Sequence, residues 1–393
     1  MTDAKLSTPV LPGGWLGMLG GGQLGRMFCH AAQCMGYRVA VLDPDPDSPA
    51  GAVADRHIRS AYDDRAGLEA LVRQCAAVST EFENVPADTL AWLASHVPVR
   101  PAADAVAVTQ DRMREKAFFS GLGAPVAPYA EIRSVTDIDN TPDNLYPGIL
   151  KAARFGYDGK GQVRVANRAQ ARAAFEQLDN VDCVLEAMLG LEREISIVLV
   201  RDQAGNTVCY PPVQNEHRDG ILAISVANAL QDRPELAQQA TEIATSIAAR
   251  LAYVGVLCVE FFVLDDGSLI VNEMAPRPHN SGHYTMDACA SSQFEQQVRV
   301  LAGLPPGTVD SRGAAIMINI LGDIWFADGS DTPREPAWDQ VLAVPGAHLH
   351  LYGKSAVRRG RKMGHVNIVA STSQQARDAA KRVATLLHIP FAG

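Results

Sequence analysis

The chain has 393 residues, enough for two or three packed units that each bury a core. Hydrophobic residues make up 47% and charged residues 20%, the balance of a globular rather than a disordered chain. The net charge of -9 excludes a general attraction for nucleic acid or anionic membrane, so any phosphate must be held by local basic groups and backbone amides.

In chain order, an apolar strand over 15–19 runs into Gly20-Gly21-Gly22-Gln23-Leu24-Gly25 and a helix over 26–35, which Gly36 stops. A second strand over 37–42 ends at Asp43-Pro44, and this βαβ unit opens a doubly wound parallel sheet. Helices over 68–75 and 87–94 follow, with a strand over 77–80 that ends at Thr80-Glu81-Phe82-Glu83-Asn84. A turn over 101–107 marks a boundary near residue 110. Beyond it come a polar amphipathic helix over 110–122, a strand over 149–152, a glycine-rich loop, a strand over 162–165 and a helix over 169–177. Strands over 184–187 and 194–200 precede a long alanine-rich helix over 236–251. Strands over 255–264 and 269–272 then form a hairpin across Asp265-Asp266-Gly267-Ser268. Strands over 314–321, 348–352 and 366–369 and a last helix over 373–387 complete the chain, with no internal repeat.

The seven cysteines have no metal-type spacing, and Cys29, Cys34, Cys183, Cys258 and Cys289 sit among apolar neighbours, which reads as buried reduced thiols of a cytoplasmic protein. Residues 1–12 lack a basic start followed by an apolar run, so no signal peptide is expected. The longest apolar stretch, 251–264, is interrupted by Glu260 and falls short of a membrane span.

Four features carry chemistry. Gly20, Gly22 and Gly25 fit G-x-G-x-x-G, with Asp43 ending the next strand. That pattern aims backbone amides at a phosphate from a helix N-terminus. Alone it suits a nicotinamide or flavin, a close-packed turn, or another phosphate or ribose ligand, and the rest of the chain argues against the first. In the second feature, Lys151 ends a strand and Gly156, Tyr157, Asp158, Gly159, Lys160, Gly161 and Gln162 make a hairpin tip whose amides can close over phosphates. It is not a Walker loop. The third is the 255–272 hairpin, where a turn at Asp266-Gly267 or over 265–268 sets Glu260 directly opposite Glu273 on one face, the alternative being a register slip or a bulge that separates them. Like charges so placed repel unless a divalent cation, most naturally magnesium, lies between them. Just beyond, two prolines fix Ala275-Pro276-Arg277-Pro278-His279-Asn280-Ser281-Gly282-His283, a rigid mount for a cation beside a metal. Read blandly, Arg277 pairs with Asp287 or Glu273. His279 and His283 lack a third ligand at zinc spacing. Lastly, Lys354, Arg358, Arg359, Arg361, Lys362 and His365 are the dense basic cluster of an acidic chain, punctuated by Gly353 and Gly360, which suits a loop wrapped on a substrate phosphate.

Taken in order, Gly22-Gln23-Leu24-Gly25-Arg26-Met27, Lys151 with its loop, Glu260, Glu273, Pro276-Arg277-Pro278-His279-Asn280-Ser281-Gly282-His283 and Gly360-Arg361-Lys362-Met363-Gly364-His365 resemble the ATP-grasp superfamily. Within it they resemble the 5-(carboxyamino)imidazole ribonucleotide synthetase family, from about residue 14 to the C-terminus. The resemblance implies a mixed α/β and α+β fold: an N-terminal Rossmann-like, pre-ATP-grasp domain over 1–110, a lid over 111–187, and a C-terminal ATP-grasp domain over 188–393 with the magnesium site and a small subdomain. It implies a carbon–nitrogen ligase of purine biosynthesis, forming ADP and phosphate. ATP and bicarbonate would give carboxyphosphate, which carboxylates aminoimidazole ribonucleotide. ATP would be met by Arg112, Lys151, the loop 156–162, Glu186, Ala187, Met188, Leu189, Glu194, His217, Asn272 and Glu273, and magnesium by Glu260 and Glu273. Arg277, His279 and Asn280 would hold bicarbonate and carboxyphosphate. Gly22, Gln23, Leu24, Tyr157, Lys354 and Arg361 would hold the ribonucleotide. A homodimer is implied, with no nucleic acid or membrane partner. Two positions depart from the pattern: Ala275 stands where many ATP-grasp enzymes have Asn, with Asn272 expected on the far face of the pleat, and Arg358-Arg359-Gly360 replaces the common Arg-Pro-Gly. The competing readings are a formate-using glycinamide ribonucleotide transformylase, disfavoured by Asn280-Ser281; a biotin carboxylase, disfavoured because Glu186-Ala187-Met188 lacks a following Lys-Met; and a nucleotide-binding sensor without turnover.

Overall fold

The computed structural model describes residues 8–154, 156, 161–327, 329 and 331–391. Its first unit alternates strands with helices: β1 (Trp15–Leu19), α1 (Gln23–Cys34), β2 (Arg38–Leu42), β3 (Arg56–Ile58), α2 (Arg65–Gln74), β4 (Ala77–Thr80), α3 (Ala87–Ala94) and α4 (Ala103–Thr109). The strands form a parallel sheet in the order β3-β2-β1-β4. Strands β1 and β2 are mostly apolar and β4 is wholly buried, because helices cover both faces of a parallel sheet. The turn expected over 101–107 is instead helix α4: Pro101 leads into Ala102-Ala103-Asp104-Ala105, and alanine has the highest helix propensity.

Asp111 caps α5 (Arg112–Gly121) by accepting from the Met113 and Arg114 amides. The next unit comprises β5 (Tyr129–Ile132), α6 (Val135–Asp139), β6 (Gly148–Ala152), β7 (Gln162–Val165), α7 (Arg168–Gln177) and β8 (Cys183–Ala187). Its antiparallel sheet runs β5-β8-β6-β7 around Ile132, Leu150, Phe175 and Leu185.

The rest of the chain builds one large antiparallel sheet from β9 (Leu191–Arg201), β10 (Thr207–Cys209), β11 (Val213–Arg218), β12 (Ile221–Val226), α8 (Pro234–Arg250), β13 (Gly255–Leu264), β14 (Leu269–Ala275), α9 (Thr285–Ala288), α10 (Gln293–Leu301), β15 (Ala314–Leu321), α11 (Trp338–Leu342), β16 (Ala347–Leu351), β17 (Lys362–Ala370) and α12 (Ser373–Leu386). The order is β14-β13-β9-β11-β12-β15-β17-β16, with β10 beside β9. Helix α8 lays Leu236, Ala240, Ala244 and Ile247 on β9 and β13, and α12 covers β15 and β17. Val298 and Leu301 of α10 close the core of the first unit under α1.

The cysteines are free thiols, and Cys29, Cys183, Cys258 and Cys289 are buried. Cys34, also expected inside, is exposed because it falls on the outer side at the end of α1.

Candidate functional site

The three units meet at a cleft of about 540 Å³. The expected residues Arg112, Lys151, Gly156, Gln162, Glu194, His217, Glu260, Asn272, Glu273, Arg277, His279 and Asn280 all line it. Tyr157, Asp158, Gly159 and Lys160 lie outside the described residues.

On the floor of the cleft, Glu260 of β13 stands opposite Glu273 of β14. A bulge lies there, since Phe261 pairs with Val271 and leaves Asn272 without a cross-strand partner. The extra residue alters the alternation of the strand. Asn272, expected on the far face, therefore lines the cleft together with Glu273. Arg112 Nη1 donates to Glu273 Oε2 at 2.9 Å. Burial would raise the Glu273 pKa, but Arg112 and Lys151 hold it down at about 2. Glu260 Oε1 lies 3.1 Å from His279 Nε2. Among the described residues no three His, Cys, Asp or Glu side chains are grouped to hold a metal by themselves. Two facing carboxylates with an amide alongside are hard oxygen donors. They suit a magnesium ion that completes its shell with nucleotide phosphates and water.

The rigid segment after β14 presents Arg277, His279 and Asn280 to the same space. Arg277 pairs with neither Asp287 nor Glu273. It makes a two-pronged contact with Glu83, at 2.6 Å from Nε and 3.1 Å from Nη2. Asp287 instead binds His350 and Asn367. His279 is clamped through its backbone, whose N–H and C=O both bond the buried Gln293 side chain. Its Nδ1 meets Ser281 Oγ at 2.8 Å, and a chain of Ser196, Asn215 and Ser225 continues from there. The Ser281 amide lies 3.4 Å from Nδ1, and Nε2 faces Glu260.

On the nucleotide side, His217 Nδ1 lies 2.5 Å from Glu194 Oε2. Burial disfavours the charged ring, yet Glu194 and Glu260 raise its pKa. Glu186 is inside the wall rather than on it: its carboxylate sits 3.3 Å from Lys116 Nζ and 3.2 Å from Lys151 Nζ. Both lysines meet the same oxygen, Oε2, while Oε1 is buried without a hydrogen-bond partner.

The first glycine loop is a close-packed turn. Gly22 and Leu24 donate their amides to Glu81, and Gly21 donates to Asp43. A Cβ on Gly22 would stand 2.4 Å from Glu81 Oε1. The amides read as a phosphate cradle are therefore taken by internal carboxylates. Leu24 packs with Met27, Phe294 and Tyr352, and a Cβ on Gly353 would lie 3.2 Å from Arg26. The glycine helix and the basic segment, both assigned to one substrate, are thus neighbours. Lys354 Nζ donates to the Lys362 carbonyl at 2.6 Å and Arg361 Nη1 to the Ala356 carbonyl at 2.7 Å. Of this segment Lys362 lines the cleft.

Sequence reasoning missed Glu83, Asn84, Gln110 and Glu115 on the wall, whereas Lys362 belongs to the basic cluster it singled out. Glu83 and Asn84 follow the carboxyl end of a parallel strand, where such sheets place ligands, so a signal was present.

Family profiles match in three stretches: a ribonucleotide synthetase preATP-grasp domain over residues 15–110, an ATP-grasp domain over 117–294, and a phosphoribosylaminoimidazole carboxylase C-terminal domain over 315–379. The chain is 38% identical over 361 residues to the N5-carboxyaminoimidazole ribonucleotide synthase of Bacillus subtilis, covering 92% of each. It is 43% identical over 365 residues to that of Brucella melitensis, covering 91% of this chain and 97% of the relative. Among solved structures, an ADP complex of N5-carboxyaminoimidazole ribonucleotide synthetase superposes with a TM-score of 0.90 at 38% identity, covering 98% of this chain and 99% of the other. The Aspergillus clavatus synthase in complex with ADP and 5-aminoimidazole ribonucleotide gives 0.85 at 30% identity, covering 95% and 98%.

Proposed function

The chain belongs to the N5-carboxyaminoimidazole ribonucleotide synthase family, and from that premise we propose how its cleft divides the work. It is an ADP-forming ATP-grasp ligase that carboxylates 5-aminoimidazole ribonucleotide in purine biosynthesis. The observation that carries the residue assignments is the Glu260–Glu273 pair facing Arg277, His279 and Asn280 across one cavity.

Bicarbonate oxygen attacks the terminal phosphorus of ATP, giving carboxyphosphate and ADP. The 5-amino nitrogen then forms a bond to the carboxyphosphate carbon, or to the carbon dioxide it releases. Phosphate leaves and the nitrogen loses a proton. Arg112 and Lys151 meet the ATP phosphates, with the loop 156–162 as lid. Residues 186–189 meet adenine through the backbone, and Glu194 and His217 the ribose. Arg277, fixed by Glu83, and His279, fixed by Gln293 and Ser281, hold the bicarbonate-derived anion with Asn280. Glu260, Glu273 and Asn272 would hold magnesium, which neutralises charge on the phosphate oxygens when bound. Lys354 and Arg361, with Tyr157, Gln23 and Leu24, face the ribonucleotide.

The domain limits 1–110, 111–187 and 188–393, a homodimer and a cytoplasmic setting belong to the same proposal. Among the described residues no helix is long and apolar enough to cross a membrane. The test is ADP release with 5-aminoimidazole ribonucleotide, with and without bicarbonate. Stimulation by both is expected; stimulation by neither would overturn the assignment.

A further inference from the structure

We infer that Glu115 and Lys116 are positioning residues that hold the β14 bulge and so aim Glu273 and Asn272 into the cleft. The inference rests on the reading of Glu273 as a metal carboxylate.

Strand β14 is the edge of the large sheet, so beyond β13 its outer N–H and C=O groups have no strand to bond. A bulge in such a strand is prone to slip unless the edge is tied. Here the ties come from α5 and the loop after it. Val271 donates its amide to the Pro125 carbonyl at 2.7 Å. Lys116 Nζ donates to the Asn272 carbonyl at 3.0 Å. Glu115 Oε1 accepts the Met274 amide at 2.9 Å. Arg112, one turn earlier, bonds the Glu273 side chain. Positions i, i+3 and i+4 of a helix share one face. One face of α5 therefore grips three consecutive residues of β14: the carbonyl of 272, the side chain of 273 and the amide of 274.

Both new residues are almost fully buried, at 3% exposure for Glu115 and 1% for Lys116. Lys116 also lies 3.3 Å from Glu186 on β8, so it ties the metal strand to the strand that flanks the nucleotide. Without the two ties, Asn272 and Glu273 lose the tilt that the extra residue imposes.

The test uses the full chain and ADP release at saturating ATP and 5-aminoimidazole ribonucleotide over a magnesium series. Glu115→Ala is expected to raise the magnesium needed for half-maximal rate at least tenfold, while the KM for the ribonucleotide changes less than twofold. Glu115→Gln, whose amide oxygen accepts the same bond, is expected to restore the wild-type requirement. An unchanged requirement in Glu115→Ala, or a Gln variant as impaired as Ala, would overturn the inference. Lys116→Met is expected to act as Glu115→Ala does. If it fails to fold, the Glu115 pair decides. Amide exchange separates this idea from the metal reading. Met274 in the unsubstituted chain is expected to exchange like an interior strand amide, and exchange at the rate of open loops sinks the bulge tie whatever the metal result. Conversely, a Glu273→Gln variant with a normal magnesium requirement removes the metal reading alone.

Discussion

Glu115 should make the protein lose stability as pH rises, and Glu115→Gln should remove that loss. Burial is the main reason its carboxyl is pushed up from 4.5 to about 8, and the Glu273 charge adds to it. The unfolded chain gives up this proton near pH 4.5, whereas the folded chain keeps it until about pH 8. Between those values the native state binds more protons, so unfolding free energy falls with rising pH. The favourable term is fully present below pH 4.5 and is lost as pH passes through about 8. At 1.36 kcal/mol per unit, the full shift corresponds to roughly 5 kcal/mol. Glutamine has the same shape, keeps the acceptor for the Met274 amide and carries no proton to lose. The assay is urea unfolding of both proteins between pH 5 and 9, in chelator and without nucleotide. The variant should gain on the wild type progressively and level off above about pH 8. Glu273 does not confuse this window: its pKa is depressed to about 2, so the stability it adds is lost only in acid. Parallel curves for the two proteins would refute the reasoning.

Glu273→Gln should abolish magnesium-dependent ADP release while the far-ultraviolet dichroism stays that of the wild type; surviving turnover would refute the metal assignment. Glu83→Ala leaves the Arg277 guanidinium without its two-pronged partner and should cost about 3 kcal/mol in urea unfolding, where a loss below about 0.5 kcal/mol would count against the pair. Gly22→Ala pushes a methyl to 2.4 Å from Glu81 Oε1 and should cost about 2 kcal/mol, whereas Gly121→Ala, with nothing within 4 Å, should be neutral or slightly stabilising. Lys354→Ala should raise the KM for 5-aminoimidazole ribonucleotide with kcat retained, and a normal KM would remove the phosphate role.

The elements that were legible have strong local signals. The first two parallel strands of the first sheet read as apolar runs because both of their faces are buried, and α8 read as a helix because it is rich in alanine. The β11–β12 hairpin escaped because Val213–Arg218 is mostly polar and lines the cleft with His217. Its turn was nonetheless written in the sequence: Asp219-Gly220 adopt φ of 49° and 77°, the positive pair that such a dipeptide favours between strands. The first glycine loop left several readings open for a different reason. A helix N-terminus advertises for an anion whichever anion answers, and here the answer is Glu81, 57 residues beyond Leu24.

The Glu260–Glu273 pair shows where local reasoning reaches its limit. A four-residue turn over 265–268 led to the correct opposition, yet the turn is tighter: Leu264 already bonds Ser268, and Gly267 bonds Leu264. That tighter turn shifts the register by one, pairing Phe261 with Val271, and would set Glu260 against Asn272. The bulge shifts it back, so two departures cancel and the predicted pair stands. Nothing within the hairpin sequence announces the bulge, because its ties are the Lys116 and Glu115 side chains, 156 and 159 residues away. The same distance explains why Asn272 was assigned to the wrong face. Alternation is a property of a strand and its neighbour, whereas this residue is turned by a helix from another part of the chain. Carboxylate spacing along a hairpin can therefore nominate a metal pair, but the aim of the pair depends on what grips the outer edge.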